Sequence, residues 1–83
     1  MTGRAIAEIR ESMQLSRDRF ANLLGVAELT VWRWEKASGR SPTEAHVRLL
    51  SLLAEAPVKK QIKVAEALRS SGWRQAWKEL LAS

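Results

Sequence analysis

Residues 17–36 read RDRFANLLGVAELTVWRWEK, and the order of side chains in this stretch decides the fold. The small Ala21 stands where two helices would approach most closely, and Gly25 supplies the left-handed backbone that reverses a chain. Apolar residues recur on both sides of that glycine; they are Phe20, Leu24, Val26, Val31 and Trp34. The spacing predicts two helices that meet steeply across a turn of about three to four residues.

Helical spacing continues outward from this stretch in both directions. Valine and isoleucine never alternate with polar residues over the length of a strand. Helices are predicted at residues 2–13, 16–25, 27–37, 41–56, 58–70 and 73–81, so the fold class is all-α. The predicted core consists of Ile6, Ile9, Leu15, Phe20, Leu24, Val31, Trp34, Val47, Leu50 and Leu53.

Two helix starts carry capping residues. Ser16 can accept a hydrogen bond from the free amides of the second helix. The fourth helix is predicted to start at Ser41 as the cap, with Pro42 in its first turn and Glu44 completing a capping box. The loop of residues 37–40 precedes it, and Pro57 either ends the helix or restarts it.

Length and composition restrict the class of protein. The 83 residues suffice for one small domain, no long uncharged apolar run could span a bilayer, and no cysteine is present. Because residues 1–4 lack the apolar run of a secretion signal, we expect a cytoplasmic protein. Residues 1–56 hold 8 basic and 7 acidic side chains, or +1, whereas residues 57–83 hold 6 and 2, or +4. This excess of basic over acidic side chains is compatible with a polyanionic partner, but many proteins without such a partner share it.

A family resemblance rests on residues 15–26, LSRDRFANLLGV, followed by residues 30–36, TVWRWEK. These segments resemble the helix-turn-helix of the Cro/phage-repressor (XRE) family, and the likeness covers about residues 4–55. It implies a five-helix, lambda-repressor-like DNA-binding domain in residues 1–56, with a C-terminal helical extension in residues 57–83. The third helix would lie in the major groove of double-stranded DNA while the second helix braces it.

The resemblance also implies base-reading residues. The matching positions are Ala27, Glu28, Leu29 and Arg33. Glu28 could accept a hydrogen bond from cytosine, Leu29 could meet a thymine methyl, and Arg33 could donate two hydrogen bonds to guanine. Ala27 offers only a methyl group, which makes a weaker helix cap. The alternative is that Glu28 and Arg33 are solvated charges.

Contacts with the DNA backbone are expected from a second set of residues. They are Arg17, Trp32, Lys36, Ser38, Arg40 and Ser41. Trp32 either packs on the sugar-phosphate backbone or is buried against the C-terminal segment. Arg40 beside the predicted helix start at Ser41 would form an anion site, or it is simply solvated.

Two further predictions concern charged and titratable residues. The family pairs an arginine in the first helix with a glutamate late in the third; Arg10 and Glu35 stand at those positions, either paired or separately solvated. His46 is predicted to be an exposed helix residue, because no ligand or triad spacing surrounds it. We therefore expect no enzyme activity, no metal and no cofactor.

The C-terminal segment carries two apolar stripes. The first comprises Val58, Ile62, Ala65 and Leu68, and the second comprises Trp73, Trp77, Leu80 and Leu81. The tryptophans require burial, which three arrangements could provide: the chain's own core, a homodimer contact, or a second protein.

The function expected from these patterns is sequence-specific DNA binding by a transcriptional regulator, a dimeric repressor. One alternative is an antitoxin that regulates its own promoter and holds a toxin with its C-terminal segment. Another is a protein-interaction adaptor that retains the fold, which the near-neutral charge of residues 1–56 favours.

Overall fold

The computed structural model describes residues 1–37 and 41–82, and it contains six helices and no strand in these two ranges. They are α1 (Gly3–Ser12), α2 (Arg17–Leu24), α3 (Glu28–Lys36), α4 (Glu44–Glu55), α5 (Val58–Ser71) and α6 (Trp73–Leu81). The predicted all-α class is confirmed. None of the described helices has the length and apolar character needed to cross a membrane.

The turn between α2 and α3 forms as its local sequence dictates. Ser16 accepts a hydrogen bond from the Arg19 amide at 3.2 Å, so α2 starts where it was predicted to start. Gly25 ends the helix in the left-handed conformation, with φ of 73°. The Val26 amide then donates to the carbonyl of Ala21 at 3.0 Å, and α3 starts two positions later, at Glu28.

The prediction that Ser41 caps the fourth helix is wrong. Thr43 is the cap: its hydroxyl accepts from the His46 amide at 3.3 Å and lies 2.9 Å from His46 Nδ1. Pro42 therefore precedes α4 rather than occupying its first turn. The His46 ring packs against Trp34 with centroids 5.4 Å apart, and this contact favours the later start.

All six helices contribute to one buried core. Its members are Ile6, Ile9, Met13, Leu15, Phe20, Ala21, Leu23, Leu24, Val31, Trp34, Leu50, Leu53, Val64, Ala65, Leu68 and Ala76. Nine of the ten predicted core residues are among them, and Val47 is the exception, being only half-buried. Its neighbour His46 makes the contact with Trp34 instead.

The number of helices in residues 1–56 differs from the five that the family resemblance implies. The described part of that segment, residues 1–37 and 41–56, forms four helices, and the next two follow Pro57. The inner faces of α5 and α6 bury Val64, Ala65, Leu68 and Ala76 in the shared core. The C-terminal segment thus packs on the same core as α1 to α4.

The apolar stripe predicted along α5 is wrong at two of its four positions. Val58 is 63% exposed and Ile62 is 41% exposed. The buried face instead includes the polar Gln61, which donates to the Leu53 carbonyl at 2.9 Å and accepts from the Ser12 hydroxyl. Because these hydrogen bonds satisfy the amide, burying it is tolerated and the helix turns Ile62 outward.

Two glycines are expected to respond differently to alanine. A Cβ at Gly3 would lie 2.5 Å from the backbone carbonyl oxygens of both Trp34 and Glu35, so Gly3→Ala should separate α1 from α3 and lower the free energy of unfolding by ~1–3 kcal/mol. A Cβ at Gly25 would meet nothing within 4 Å, so Gly25→Ala should cost only the ~1 kcal/mol of a left-handed backbone. Urea denaturation measures both. A Gly3→Ala variant as stable as the parent would disprove this close approach.

Candidate nucleic-acid interface

One face of α3 is turned to solvent along the whole helix. Glu28, Leu29, Trp32, Arg33 and Lys36 are all exposed, and at 100° per residue they fall within an arc of about 140°. The opposite side of the helix buries Val31 and Trp34 in the core. The residues predicted to read bases, apart from the cap Ala27, therefore share one exposed surface, which we call the α3 face.

The α3 face includes two large apolar side chains. Leu29 is 53% exposed and Trp32 is 41% exposed. Together with Glu28 and Arg17 they line a shallow cavity of about 350 Å³. Trp32 is not buried against the C-terminal segment, which was one of its two predicted arrangements. Its indole faces solvent beside α2.

A cluster of three charged side chains anchors α3 to the rest of the domain. Arg10 donates from Nε to Glu35 Oε2 at 2.7 Å and from Nη2 to Oε1 at 3.1 Å. Arg17 donates from Nε to Glu35 Oε1 at 2.9 Å. Arg10 also donates to the Leu15 carbonyl at 3.0 Å, so the cluster connects α1, α2 and α3.

The carboxylate at the centre of the cluster is shielded from water, and the arginines that bind it shift its pKa. The Glu35 side chain is only 3% exposed. Burial alone would raise the pKa of its carboxyl, but the hydrogen bonds and charges of Arg10 and Arg17 outweigh burial and hold that pKa below its ordinary value. The hydrogen bond to Glu35 likewise raises the pKa of the Arg10 guanidinium. Glu35 thus stays ionised at neutral pH.

The structure brings Arg10 and Glu35 together, as the paired alternative requires, and it adds a contact that the sequence did not indicate. Arg17 was expected only as a phosphate ligand, yet its Nε bonds to Glu35. Its side chain is 34% exposed, and it lines the shallow cavity beside the α3 face. Arg17 and Glu35 lie on different helices, so helical periodicity could not indicate this pair.

The remaining backbone candidates are spread over the end of α3 and the segment after it. Lys36 is exposed in the last turn of α3, and Ser41 is exposed before Pro42. Ser38 and Arg40 lie outside the described residues. Since α4 begins at Glu44 with Thr43 as its cap, the expected helix start beside Arg40 is displaced along the chain.

Comparisons with protein-family models, with curated proteins and with solved structures found no significant match to this chain.

His46 is not the exposed residue that its sequence context predicts. It is half-buried, with its ring tilted against Trp34 and its Nδ1 near the Thr43 hydroxyl. Within residues 1–37 and 41–82, no three histidine, aspartate or glutamate side chains are placed to hold a metal ion.

The four apolar residues of α6 differ in their surroundings. Trp77 and Leu80 are half-buried against the core, and the Trp77 indole donates to the Leu23 carbonyl at 2.8 Å. Trp73 is 48% exposed and Leu81 is 70% exposed. One part of the stripe therefore covers the chain's own core, while the other part remains accessible to a partner.

Proposed function

We propose that this protein binds double-stranded DNA by inserting the α3 face into the major groove, and that it regulates transcription, as a repressor, by occupying promoter DNA. The observation that supports the proposal most is the α3 face itself. It exposes two large apolar side chains, Leu29 and Trp32, and two cations, Arg33 and Lys36. The other side of α3 packs in the core, and Glu35 binds the helix to Arg10 of α1. A rigid helix with such a surface matches the way in which a recognition helix enters the groove.

Each residue of the α3 face has a role in this proposal. Arg33 donates two hydrogen bonds to guanine, Leu29 meets a thymine methyl, and Glu28 accepts from cytosine. Trp32 and Lys36 contact the sugar-phosphate backbone, as does Arg17 through its terminal nitrogens. Ser38, Arg40 and Ser41 complete the backbone contacts.

Binding as a homodimer is part of the proposal. One recognition helix contacts only a few base pairs, and a second copy on a two-fold site doubles the length of sequence read. Exposed apolar side chains are available for such a contact, both at Val58 and Ile62 on α5 and at Trp73 and Leu81 on α6.

A second candidate function is that of an antitoxin or adaptor, which binds another protein. The observation in its favour is the accessible apolar surface beside Trp73 and Leu81, since such a surface is common at protein contacts. The antitoxin form is compatible with DNA binding by α3, whereas the adaptor form replaces it.

The two cations of the α3 face separate base reading from backbone binding. Arg33→Ala should cost ~1–3 kcal/mol of binding free energy on a preferred duplex and relax the preference at one base pair. Lys36→Ala, the matched control on the same helix, should weaken binding to all duplexes similarly and reduce the salt slope by ~1. Fluorescence anisotropy on preferred and random duplexes measures both. Equal losses on the two duplexes for Arg33→Ala would refute its assignment.

A further inference from the structure

An apolar groove separates α6 from the turn that joins α2 to α3. It has a volume of about 710 Å³, and its walls include Leu24, Val26, Leu49, Trp73, Trp77 and Leu81. Asn22 is the one polar side chain among the described residues that line it. Because the Trp77 indole N–H already donates to the Leu23 carbonyl, an apolar occupant would leave that donor satisfied.

The α6 edge of this groove is basic. Arg74 and Lys78 directly follow Trp73 and Trp77 along the helix, and both are exposed. The Arg74 guanidinium lies 5.2 Å from the centroid of the Trp73 ring, which places one cation at the groove itself. Glu79 lies about 200° around the helix from Trp77, on another side.

The opposite edge adds no net charge to balance these cations. Asp18 and Arg19 are exposed about one turn before Asn22 on α2, and their charges cancel. On α4, Arg48 next to Leu49 pairs with Glu44 at 2.8 Å. The groove therefore combines an apolar floor with a net positive edge.

We propose that this groove binds an amphipathic helix of another protein, whose apolar face packs on Trp73, Trp77 and Leu81 and whose flank carries aspartate or glutamate opposite Arg74 and Lys78. The three apolar residues are spaced four apart, so they follow one side of α6 for about 12 Å, which suits a partner with anchors at i, i+4 and i+7. A second copy of this chain fits less well, because a two-fold contact uses the same patch of both copies and would bring two net positive edges into one interface. The proposal is independent of DNA binding by α3, and it leaves the exposed Val58 and Ile62 of α5 for a contact between two copies of the chain.

Two synthetic peptides provide the test. Each has about 14 residues and the same leucine stripe at helical spacing, but one carries glutamate and the other lysine on the flanking positions. Fluorescence anisotropy at about 0.15 M salt measures the affinity of each peptide for the full chain. The same measurement is made on a charge-reversed chain that combines Arg74→Glu with Lys78→Glu. The matched control combines Lys59→Glu with Lys63→Glu, which changes the net charge equally on exposed positions of α5. Circular dichroism checks that each variant is folded.

We expect the acidic peptide to bind the parent chain about tenfold more tightly than the basic peptide, as several edge charge pairs would produce. The Arg74 and Lys78 reversal should invert this preference, the Lys59 and Lys63 reversal should retain it, and Leu81→Glu should remove binding of the acidic peptide. Three results would overturn the proposal: neither peptide binds, both bind alike, or the control reversal has the same effect. Sedimentation equilibrium of the chain, without and with the acidic peptide, can give a fourth contradicting result. If the chain forms a dimer that Leu81→Glu dissociates and the acidic peptide leaves intact, the groove is occupied by a second copy.

Discussion

A chain shortened to residues 1–57 is expected to be unfolded at every protein concentration. The truncation removes α5 and α6, and with them the buried Val64, Ala65, Leu68 and Ala76. Burying a valine or leucine side chain contributes ~1.5–3 kcal/mol, so Val64 and Leu68 alone account for ~3–6 kcal/mol. A domain of this length has a total stability of only ~4–12 kcal/mol. Far-ultraviolet circular dichroism over a range of concentrations measures the outcome.

Point variants on α5 provide the graded form of this experiment. Leu68→Ala should lower the free energy of unfolding by ~2–5 kcal/mol, because it leaves a cavity in the core. Ile62→Ala on the outer face of the same helix is the control and should have a much smaller effect, since that side chain is 41% exposed. A truncated chain that melts cooperatively would show instead that residues 1–57 fold without α5 and α6.

Glu35→Ala is expected to lower the free energy of unfolding by ~2–4 kcal/mol. The substitution leaves Arg10 without its ionic partner, and breaking a buried pair from one side costs ~3–5 kcal/mol when both groups are fully shielded. The loss is smaller here because Arg10 and Arg17 retain 15% and 34% exposure. Glu28→Ala removes an exposed carboxylate from the same helix and should change stability by less than ~0.5 kcal/mol. Similar urea midpoints for the two variants would contradict the role of the cluster.

The same cluster makes stability depend on acid. The Glu35 pKa is lower in the folded chain than in the unfolded chain, so its contribution is complete at neutral pH. That contribution is lost as the pH falls below about 4.3, the ordinary glutamate value, and through the lower folded-state pKa. Thermal melts between neutral and acidic pH should therefore show a smaller decline for Glu35→Ala than for the parent. Parallel declines would indicate that Glu35 is not held ionised by the arginines.

Much of the fold could be predicted because local chemistry determines it. Ser16 caps α2 and Gly25 reverses the chain through short-range effects that depend on residue type and backbone conformation. The apolar residues on the inner side of α3, Val31 and Trp34, follow from helical periodicity. The shared exposure of Leu29 and Arg33 follows from the same periodicity.

The remaining features depend on contacts between helices that are distant in sequence. The Arg17 bond to Glu35 arises only when α2 and α3 pack, and the later start of α4 coincides with the contact between His46 and Trp34. Gly3 carries no local sign that a Cβ added at this position would collide with the end of α3. On α5, two hydrogen bonds from other segments favour a buried Gln61 over the more apolar Ile62.

Selection of bound duplexes from a random-sequence DNA pool tests the proposed function most directly. If the α3 face reads bases, the parent chain should enrich a short motif, and the Arg33→Ala chain should enrich a motif that has lost its preference for guanine at one position. The change should be confined to that position because the neighbouring contacts of Leu29 and Glu28 are retained. A pool that stays random after repeated selection with the folded parent chain would contradict DNA reading by α3, and an identical motif for both chains would exclude Arg33 from it.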